Sequence, residues 1–193
     1  MRILIIAHHR SGSTNFGKWL SMELNYKLVL EPYNDDIGEW NNDRNERIYL
    51  AFNLPNVVSK FLYSDFKSKN QIEETIVLFD KVILLKRNNV KESAISILIA
   101  NETNKYHSKY KINDHWMEEN KEKIENESLN FIKINNEISK LNGLQITYEG
   151  IYNTKEDIEK VKNYIEINEF KYLHYIDKKM RYQQNNTPKK PLI

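Results

Sequence analysis

Short apolar runs alternate with amphipathic stretches along most of the chain. The apolar runs predict strands over residues 2–7, 27–30, 55–62, 81–86 and 144–148. Runs of this kind, without polar alternation, are typical of strands buried on both faces of a sheet. Between them, apolar residues at helical spacing predict helices over 14–25, 90–101 and 113–142. A last helix is predicted to open at Thr154, with Asp157 completing a capping box, and to run through Ile165.

Strands that alternate with helices predict an α/β fold with a mainly parallel central sheet flanked by helices in three layers. Residues 32–53 are polar and are interpreted as a loop, with a short helix as the alternative. The 193 residues are enough for one domain with a sizeable core. We expect that single domain over residues 1–181 and an extended polar tail over 182–193.

The charge balance gives no sign of a polyanionic partner. The chain carries 29 Lys and Arg against 27 Asp and Glu, a formal net charge of +2, so we expect no nucleic-acid binding. No apolar stretch in the sequence is long enough to cross a bilayer, and its start lacks the pattern of a signal peptide. The absence of Cys excludes disulfides and thiolate metal sites, which fits either a reducing compartment or a protein indifferent to redox conditions. We therefore expect a cytoplasmic protein.

The first predicted strand is followed by a turn rich in hydrogen-bond donors. The turn reads Arg10-Ser11-Gly12-Ser13-Thr14-Asn15. Gly12 allows the backbone to curl, so that amides and hydroxyls converge beside the positive N-terminus of the next helix. Arg10 adds a fixed charge suited to pairs of oxygens. The sequence therefore predicts a loop that binds phosphate or sulfate.

This loop resembles the 5′-phosphosulfate loop of sulfotransferases that use 3′-phosphoadenosine 5′-phosphosulfate (PAPS). A magnesium-dependent kinase is the competing interpretation, because residues 12–18 also spell Gly-x-x-x-x-Gly-Lys, the start of a Walker A motif. The next residue is Trp19, where a nucleoside triphosphatase needs Ser or Thr for magnesium. Gly17 and Lys18 are also predicted to lie inside the helix. The loop therefore favours the sulfotransferase family.

Two further segments resemble motifs of the same family. Arg87 follows a predicted strand and precedes a helical Ser, as in the 3′-phosphate motif of sulfotransferases. Ser96 is the expected partner, and Ser93 is a lesser candidate because the spacing is one residue longer than in the animal cytosolic enzymes. Tyr148 resembles the family Tyr that approaches the adenine or its 3′-phosphate. The structural alternatives are a surface Arg, a helix-facing Ser and a half-buried strand Tyr.

Sulfuryl transfer needs a base for the acceptor proton and positive charge on the leaving oxygen. Lys60 matches the family Lys that approaches the bridging oxygen, and Arg10 is expected to contribute there as well. Leu62 stands where the animal cytosolic enzymes have a catalytic His. The resemblance to tyrosylprotein and some bacterial sulfotransferases instead implies Glu31 as the base.

The resemblance extends from residue 2 to about residue 166. It implies a P-loop-like α/β sulfotransferase that uses PAPS, releases adenosine 3′,5′-bisphosphate and needs no metal. The acceptor is expected to be a hydroxyl or amine on a small molecule, a glycan or a peptide. His8 and His9, which flank the loop, are alternative bases. A P-loop kinase and a nucleotide-binding module without activity are the alternative functions.

Overall fold

The computed structural model describes residues 1–34, 43–103 and 112–176. Its centre is a sheet of five parallel strands in the order β2-β3-β1-β4-β5. The strands are β1 (Arg2–Ala7), β2 (Lys27–Leu30), β3 (Val57–Leu62), β4 (Lys81–Lys86) and β5 (Leu144–Thr147). The predicted α/β class and central parallel sheet are confirmed, while the predicted tail over 182–193 lies outside the described residues.

Helices cover both faces of this sheet. The described helices are α1 (Ser13–Leu24), α2 (Arg44–Asn53), α3 (Lys69–Ile76), α4 (Val90–Thr103), α5 (Asp114–Glu119), α6 (Lys121–Ser139), α7 (Tyr148–Tyr152) and α8 (Glu156–Ile165). Side chains of α1, α7 and α8 pack in one cluster on the first face. Side chains of α2, α3 and α6 pack on the second face, so the three-layer arrangement is confirmed.

The strand β1 lies at the centre because both of its faces are apolar. Ile3 and Ile5 point into the cluster with α1 and α8. Leu4 and Ile6 point into the opposite cluster. All four side chains are fully buried, as the period-2 geometry of a strand in the middle of three layers requires. This placement puts the turn that follows β1 at the middle of one sheet edge.

The long helix predicted over residues 113–142 is two helices, α5 and α6, which meet at Asn120. The backbone amide and the side-chain amide of Asn120 both donate to the carbonyl of Trp116, each at 3.0 Å. Because Asn competes for backbone groups in this way, it favours helix ends over helix interiors. The prediction of one continuous helix is therefore wrong.

The last predicted strand and helix also differ from the structure. Thr147 ends β5, and its side-chain oxygen accepts the amide of Gly150 at 2.9 Å, so Tyr148 begins α7 instead of ending the strand. Helix α8 begins at Glu156, after Lys155 in a left-handed conformation. The Asp157 carboxylate accepts the Thr147 amide at 2.7 Å. The predicted capping box of Thr154 and Asp157 is therefore wrong, because a tertiary contact occupies Asp157.

Two helices lie in segments without a clear hydrophobic pattern. The short helix that is the alternative prediction within residues 32–53 exists as α2, and residues 35–42 lie outside the described part of the chain. Helix α3 was not predicted, although Ser68 caps it by accepting the amide of Gln71 at 3.2 Å.

Within the described ranges, none of the helices is both long enough and apolar enough to cross a membrane.

Candidate active site at the carboxyl edge of the sheet

The predicted site residues meet at one edge of the sheet. All five strands are parallel, so their carboxyl ends lie together, and ligands of open α/β sheets bind outside these ends. The loop that begins at Arg10 follows β1, Glu31 follows β2 and Arg87 follows β4. Lys60 lies on β3, in register with Ile5 and Leu30, and Tyr148 follows β5.

Gly12 sets the conformation of the predicted anion loop. It has φ +77° and stands at the N-cap of α1, a left-handed conformation that costs Gly little. A Cβ atom here would lie 2.7 Å from Cδ2 of Tyr148 and 3.0 Å from Cε2 of Tyr152. The hydroxyl of Tyr152 also donates to the Gly12 carbonyl at 3.0 Å. Both the backbone angle and the surrounding rings therefore require Gly at this position.

The loop presents its donors in the first turn of α1. Ser13, Thr14 and Asn15 occupy that turn, and the bond from the Phe16 amide to the Gly12 carbonyl, 3.1 Å long, begins the helical ladder. The first amides of a helix have no intrahelical acceptor, and the helix dipole favours an anion beside them. The Ser11 hydroxyl donates to the His8 carbonyl at 2.7 Å, so it supports the turn from within.

The two predicted anion sites are joined by direct hydrogen bonds. Arg10, from the loop after β1, donates through Nε to the hydroxyl oxygen of Ser96 on α4 at 2.7 Å. Arg87 donates through Nη1 to the Arg10 carbonyl at 3.1 Å. Ser93, the lesser candidate, is fully buried and donates to the Asn89 carbonyl at 3.4 Å. Ser96 is therefore bonded to the Arg10 guanidinium, whereas the hydroxyl of Ser93 is bonded to the residue that directly precedes its own helix.

The ring of Tyr148 packs against the guanidinium of Arg87. The Cζ atom of Arg87 lies 4.4 Å from the centre of the Tyr148 ring, within the range of a cation–π contact. The ring is only 8% exposed and packs against Tyr152 with ring centres 4.7 Å apart. The ring thus lies between Arg87 and the hydrophobic core on the first face of the sheet. Arg87 also forms an ion pair through Nη2 with Glu92.

Glu149 is a residue of the site that the sequence prediction missed, as is the Glu92 that pairs with Arg87. The Glu149 carboxylate accepts the amides of Asn88 and Asn89, both at 3.0 Å, and so holds the turn between β4 and α4. The sequence shows that Glu149 follows Tyr148. It does not show that Glu149 holds this turn, since the two amides lie about 60 residues away along the chain.

Glu31, which directly follows β2, forms an ion pair with the buried Lys60 of β3. Glu31 has φ +46° and donates its amide to the Lys60 carbonyl at 2.6 Å. Its carboxylate accepts from Lys60 Nζ and, at 3.0 Å, from the side chain of Asn34. Lys60 is only 2% exposed. Burial alone would raise the pKa of Glu31, but the charge and hydrogen bond of Lys60 outweigh it, so this pKa is lowered.

The charges of this pair affect the pKa values of His9 and Asp65. Burial, followed by the charges of His8 and Lys60, lowers the pKa of His9 to about 4, and its Nε2 is hydrogen-bonded to the Ser64 hydroxyl at 3.1 Å. Burial, together with the charge of Glu31, raises the pKa of Asp65 to about 6. His9 is therefore neutral near pH 7. Asp65 is a titratable group that the sequence prediction missed.

His8, the other alternative base, packs against Phe131. It is 6% exposed, its ring centre lies 3.8 Å from that of Phe131, and its Nδ1 donates to the His9 carbonyl at 3.1 Å. Burial lowers the pKa of His8.

The Walker A interpretation does not fit the helix. Gly17 and Lys18 lie inside α1, which already begins at Ser13. Trp19, which stands where a Walker motif has Ser or Thr, is fully buried, and its ring N–H donates to Glu23 at 2.9 Å. The helix start therefore coincides with the Arg10–Asn15 loop and not with the Gly-Lys pair.

Three solved structures are similar to this one to different degrees. Mouse sulfotransferase SULT7A1 complexed with PAP matches with a TM-score of 0.56 and 14% identity over 99% of this chain and 69% of that one. The sulfotransferase domain from the curacin biosynthetic pathway matches with a TM-score of 0.45 and 17% identity, over 89% and 76%. The Bacillus subtilis YorR protein, in complex with phosphorylated GDP, matches with a TM-score of 0.43 and 13% identity, over 85% and 95%.

No family model and no curated protein sequence matches this chain. At 14% identity the likeness to the mouse enzyme establishes the fold alone, so the chain has a sulfotransferase-like α/β fold.

We predict that Asp65→Asn stabilises the protein above pH 6 and not at pH 4. The folded-state pKa of about 6 lies above the ordinary value of the carboxyl, so the folded state binds more protons between these pH values. The stability contributed by Asp65 is thus present at low pH and lost as pH rises through about 6. Asn keeps an acceptor for the Leu62 amide, which now binds Asp65 at 3.1 Å.

Allowing for partial exposure, we expect a gain of about 1 kcal/mol in the free energy of unfolding at pH 7.5. Urea unfolding at pH 4 and pH 7.5 measures it, and Glu125→Gln on the exposed face of α6 controls for the loss of one charge. An equal effect of Asp65→Asn at both pH values would contradict the raised pKa.

Proposed function

We propose that this chain is a PAPS-dependent sulfotransferase. The observation that supports it best is the junction of Arg10, Arg87 and Ser96, which joins the two predicted anion-binding segments at one edge of a sulfotransferase-like fold. A ligand with a sulfated phosphate at one end and a second phosphate on its ribose would suit two such segments side by side. Charge-assisted bonds from guanidinium groups are well matched to these oxygens.

Each predicted residue has a role in this proposal. The amides of the first turn of α1, with Ser11, Gly12, Ser13, Thr14 and Asn15, hold the 5′-phosphosulfate. Arg10 adds positive charge there. Arg87 and Ser96 hold the 3′-phosphate. Tyr148 keeps the guanidinium of Arg87 in place, as the 4.4 Å stacking distance supports.

In the proposed reaction, an acceptor oxygen or nitrogen forms a bond to sulfur while the bond from sulfur to the bridging phosphate oxygen breaks. The electron pair of the broken bond stays on that oxygen, and adenosine 3′,5′-bisphosphate leaves. Lys60 and Arg10 stabilise the charge that develops there. No metal is required by this scheme.

Glu31 is the proposed base that takes the acceptor proton. Its pair with Lys60 lowers its pKa, which makes it a weak base as long as the pair is closed. If Lys60 turns toward the leaving oxygen, Glu31 loses the charge that holds its pKa down and its basicity rises. One lysine would then serve both halves of the reaction in turn.

We predict that adenosine 3′,5′-bisphosphate stabilises the fold without magnesium, because both anion segments contact it and neither uses a metal. At about a hundred times its dissociation constant, the ligand should add about 2.7 kcal/mol to the free energy of unfolding. Thermal unfolding with the bisphosphate, and separately with ATP and magnesium, measures this. A shift with ATP and magnesium alone would favour a kinase. Stabilisation by the bisphosphate without transfer to any acceptor would favour a binding module.

Arg87→Ala should weaken the bisphosphate much more than adenosine 5′-monophosphate, because only the bisphosphate carries the 3′-phosphate. Losing a charge-assisted bond predicts about 1.5–3 kcal/mol for the bisphosphate. Titration calorimetry with both nucleotides gives the two values. Equal losses would mean that Arg87 acts only through its support of the Arg10 carbonyl.

Glu31→Gln should slow sulfuryl transfer by about 10²–10⁴-fold and leave bisphosphate affinity largely intact, because a base acts on the acceptor and not on the nucleotide. Transfer is measured with labelled PAPS and an acceptor found by screening hydroxyl and amine compounds. Since Gln leaves Lys60 without its counter-charge, thermal unfolding must show that the variant is folded. Near-normal turnover of Glu31→Gln would contradict its role as the base. Loss of turnover in folded His9→Ala would then assign the base to His9, and loss in folded Asp65→Asn would assign it to Asp65.

A further inference from the structure

One acidic side chain contacts the guanidinium that is proposed to read the 3′-phosphate. Glu92 lies in the first turn of α4 and forms an ion pair with Nη2 of Arg87. Ser96 follows four residues later, so the two side chains share one face of the helix. Ser96 accepts from Arg10 at 2.7 Å. The face of α4 thus supplies an acceptor to each of the two arginines.

The guanidinium of Arg87 is held by three contacts. Its Nη1 donates to the Arg10 carbonyl and its Nη2 to Glu92, while its flat face lies on Tyr148. Its buried Nε has no acceptor among the residues that the structure describes. The Nη2 contact to Glu92 is the one made with a surface side chain, so it is the contact that an incoming anion can exchange.

Exposure shows which partner of the pair can move. The Arg87 side chain is 15% exposed, whereas that of Glu92 is 53% exposed. A buried cation left without a partner is costly, but an exposed carboxylate returns to water at little cost. Exchange of Glu92 for a phosphate therefore keeps Arg87 paired throughout, and only Glu92 has to turn away.

We propose that Glu92 is an exchangeable counter-ion that competes with the 3′-phosphate for Arg87. This rests on the proposed function, in which Arg87 binds that phosphate. Glu92 weakens the affinity for 3′-phosphorylated nucleotides without affecting nucleotides that lack this group. It thereby lowers the preference for nucleotides with a 3′-phosphate over nucleotides without one, and it favours release of the bisphosphate product.

The test compares adenosine 3′,5′-bisphosphate with adenosine 5′-monophosphate by titration calorimetry. Glu92→Gln should bind the bisphosphate about 3- to 5-fold more tightly, because the phosphate no longer has to displace a half-exposed ion pair. Its affinity for the monophosphate should not change. Glu125→Gln, on the exposed face of α6, controls for net charge and should alter neither affinity. Glu92→Ala provides a second variant at the same site.

Repeating Glu92→Gln in an Arg87→Ala background isolates the competition. There the substitution should change bisphosphate affinity by at most about twofold, since no guanidinium remains to compete for. An equal gain in bisphosphate affinity with and without Arg87 would overturn the competition. The effect of Glu92 would then be simple repulsion between its carboxylate and the phosphate. Unchanged or weaker bisphosphate binding by Glu92→Gln also overturns it, and parallel losses for both nucleotides would place Glu92 on the ribose instead. Failure of the wild-type protein to bind the bisphosphate would be a separate result against the proposed function.

Discussion

The packing of Arg87 between the Arg10 carbonyl and the Tyr148 ring is the contact on which the candidate site depends. It joins the loop after β1, the turn after β4 and the start of α7. Because Tyr148 also lies against Gly12, a Cβ there would approach its ring within 2.7 Å. The shape of the loop and the position of the guanidinium are therefore set together, and displacement of any one of the three segments disturbs the other two.

A second group of contacts holds Tyr148 in place. Asp157 accepts the amide and, at 3.0 Å, the hydroxyl of Thr147, which fixes the end of β5 one residue before Tyr148. Gly150 is needed for this, since a Cβ on it would lie 2.0 Å from the Asp157 carboxylate. Asp157 of α8 thus holds the end of β5, and the end of β5 positions the Tyr148 ring that packs against Arg87. None of these groups is proposed to touch the nucleotide, yet they determine where Arg87 stands.

The local parts of the fold could be predicted from the sequence, and the long-range parts could not. β1, the Gly12 turn and the start of α1 follow from periodicity and turn chemistry over about twenty adjacent residues. The alternation of strands and helices gives the parallel sheet in the same way. The division at Asn120 and the start of α7 at Tyr148 depend on single polar side chains that bind backbone groups, which hydrophobic patterns do not register.

The composition of the site divides in the same manner. The resemblance to sulfotransferases selected Arg10, Arg87 and Ser96 one by one, but the bonds among them span 77 and 86 residues and follow only from the strand order. The ion pair of Glu31 with Lys60 likewise requires β2 and β3 to be neighbours. Glu92 and Asp65 have no motif at all, and only their charge environment in the folded chain distinguishes them from surface carboxylates.

The three cations of the candidate site each have an acceptor from the chain itself: Ser96 for Arg10, Glu92 for Arg87 and Glu31 for Lys60. The guanidinium and ammonium groups are thus held near their proposed working positions without a ligand. Such preorganisation lowers the conformational cost of binding. It also means that binding is an exchange of partners, so the affinity for an anion is the difference between two pairings. The chemistry proposed for Lys60 and the competition proposed for Arg87 are two cases of this exchange, the first with a partly buried carboxylate and the second with an exposed one.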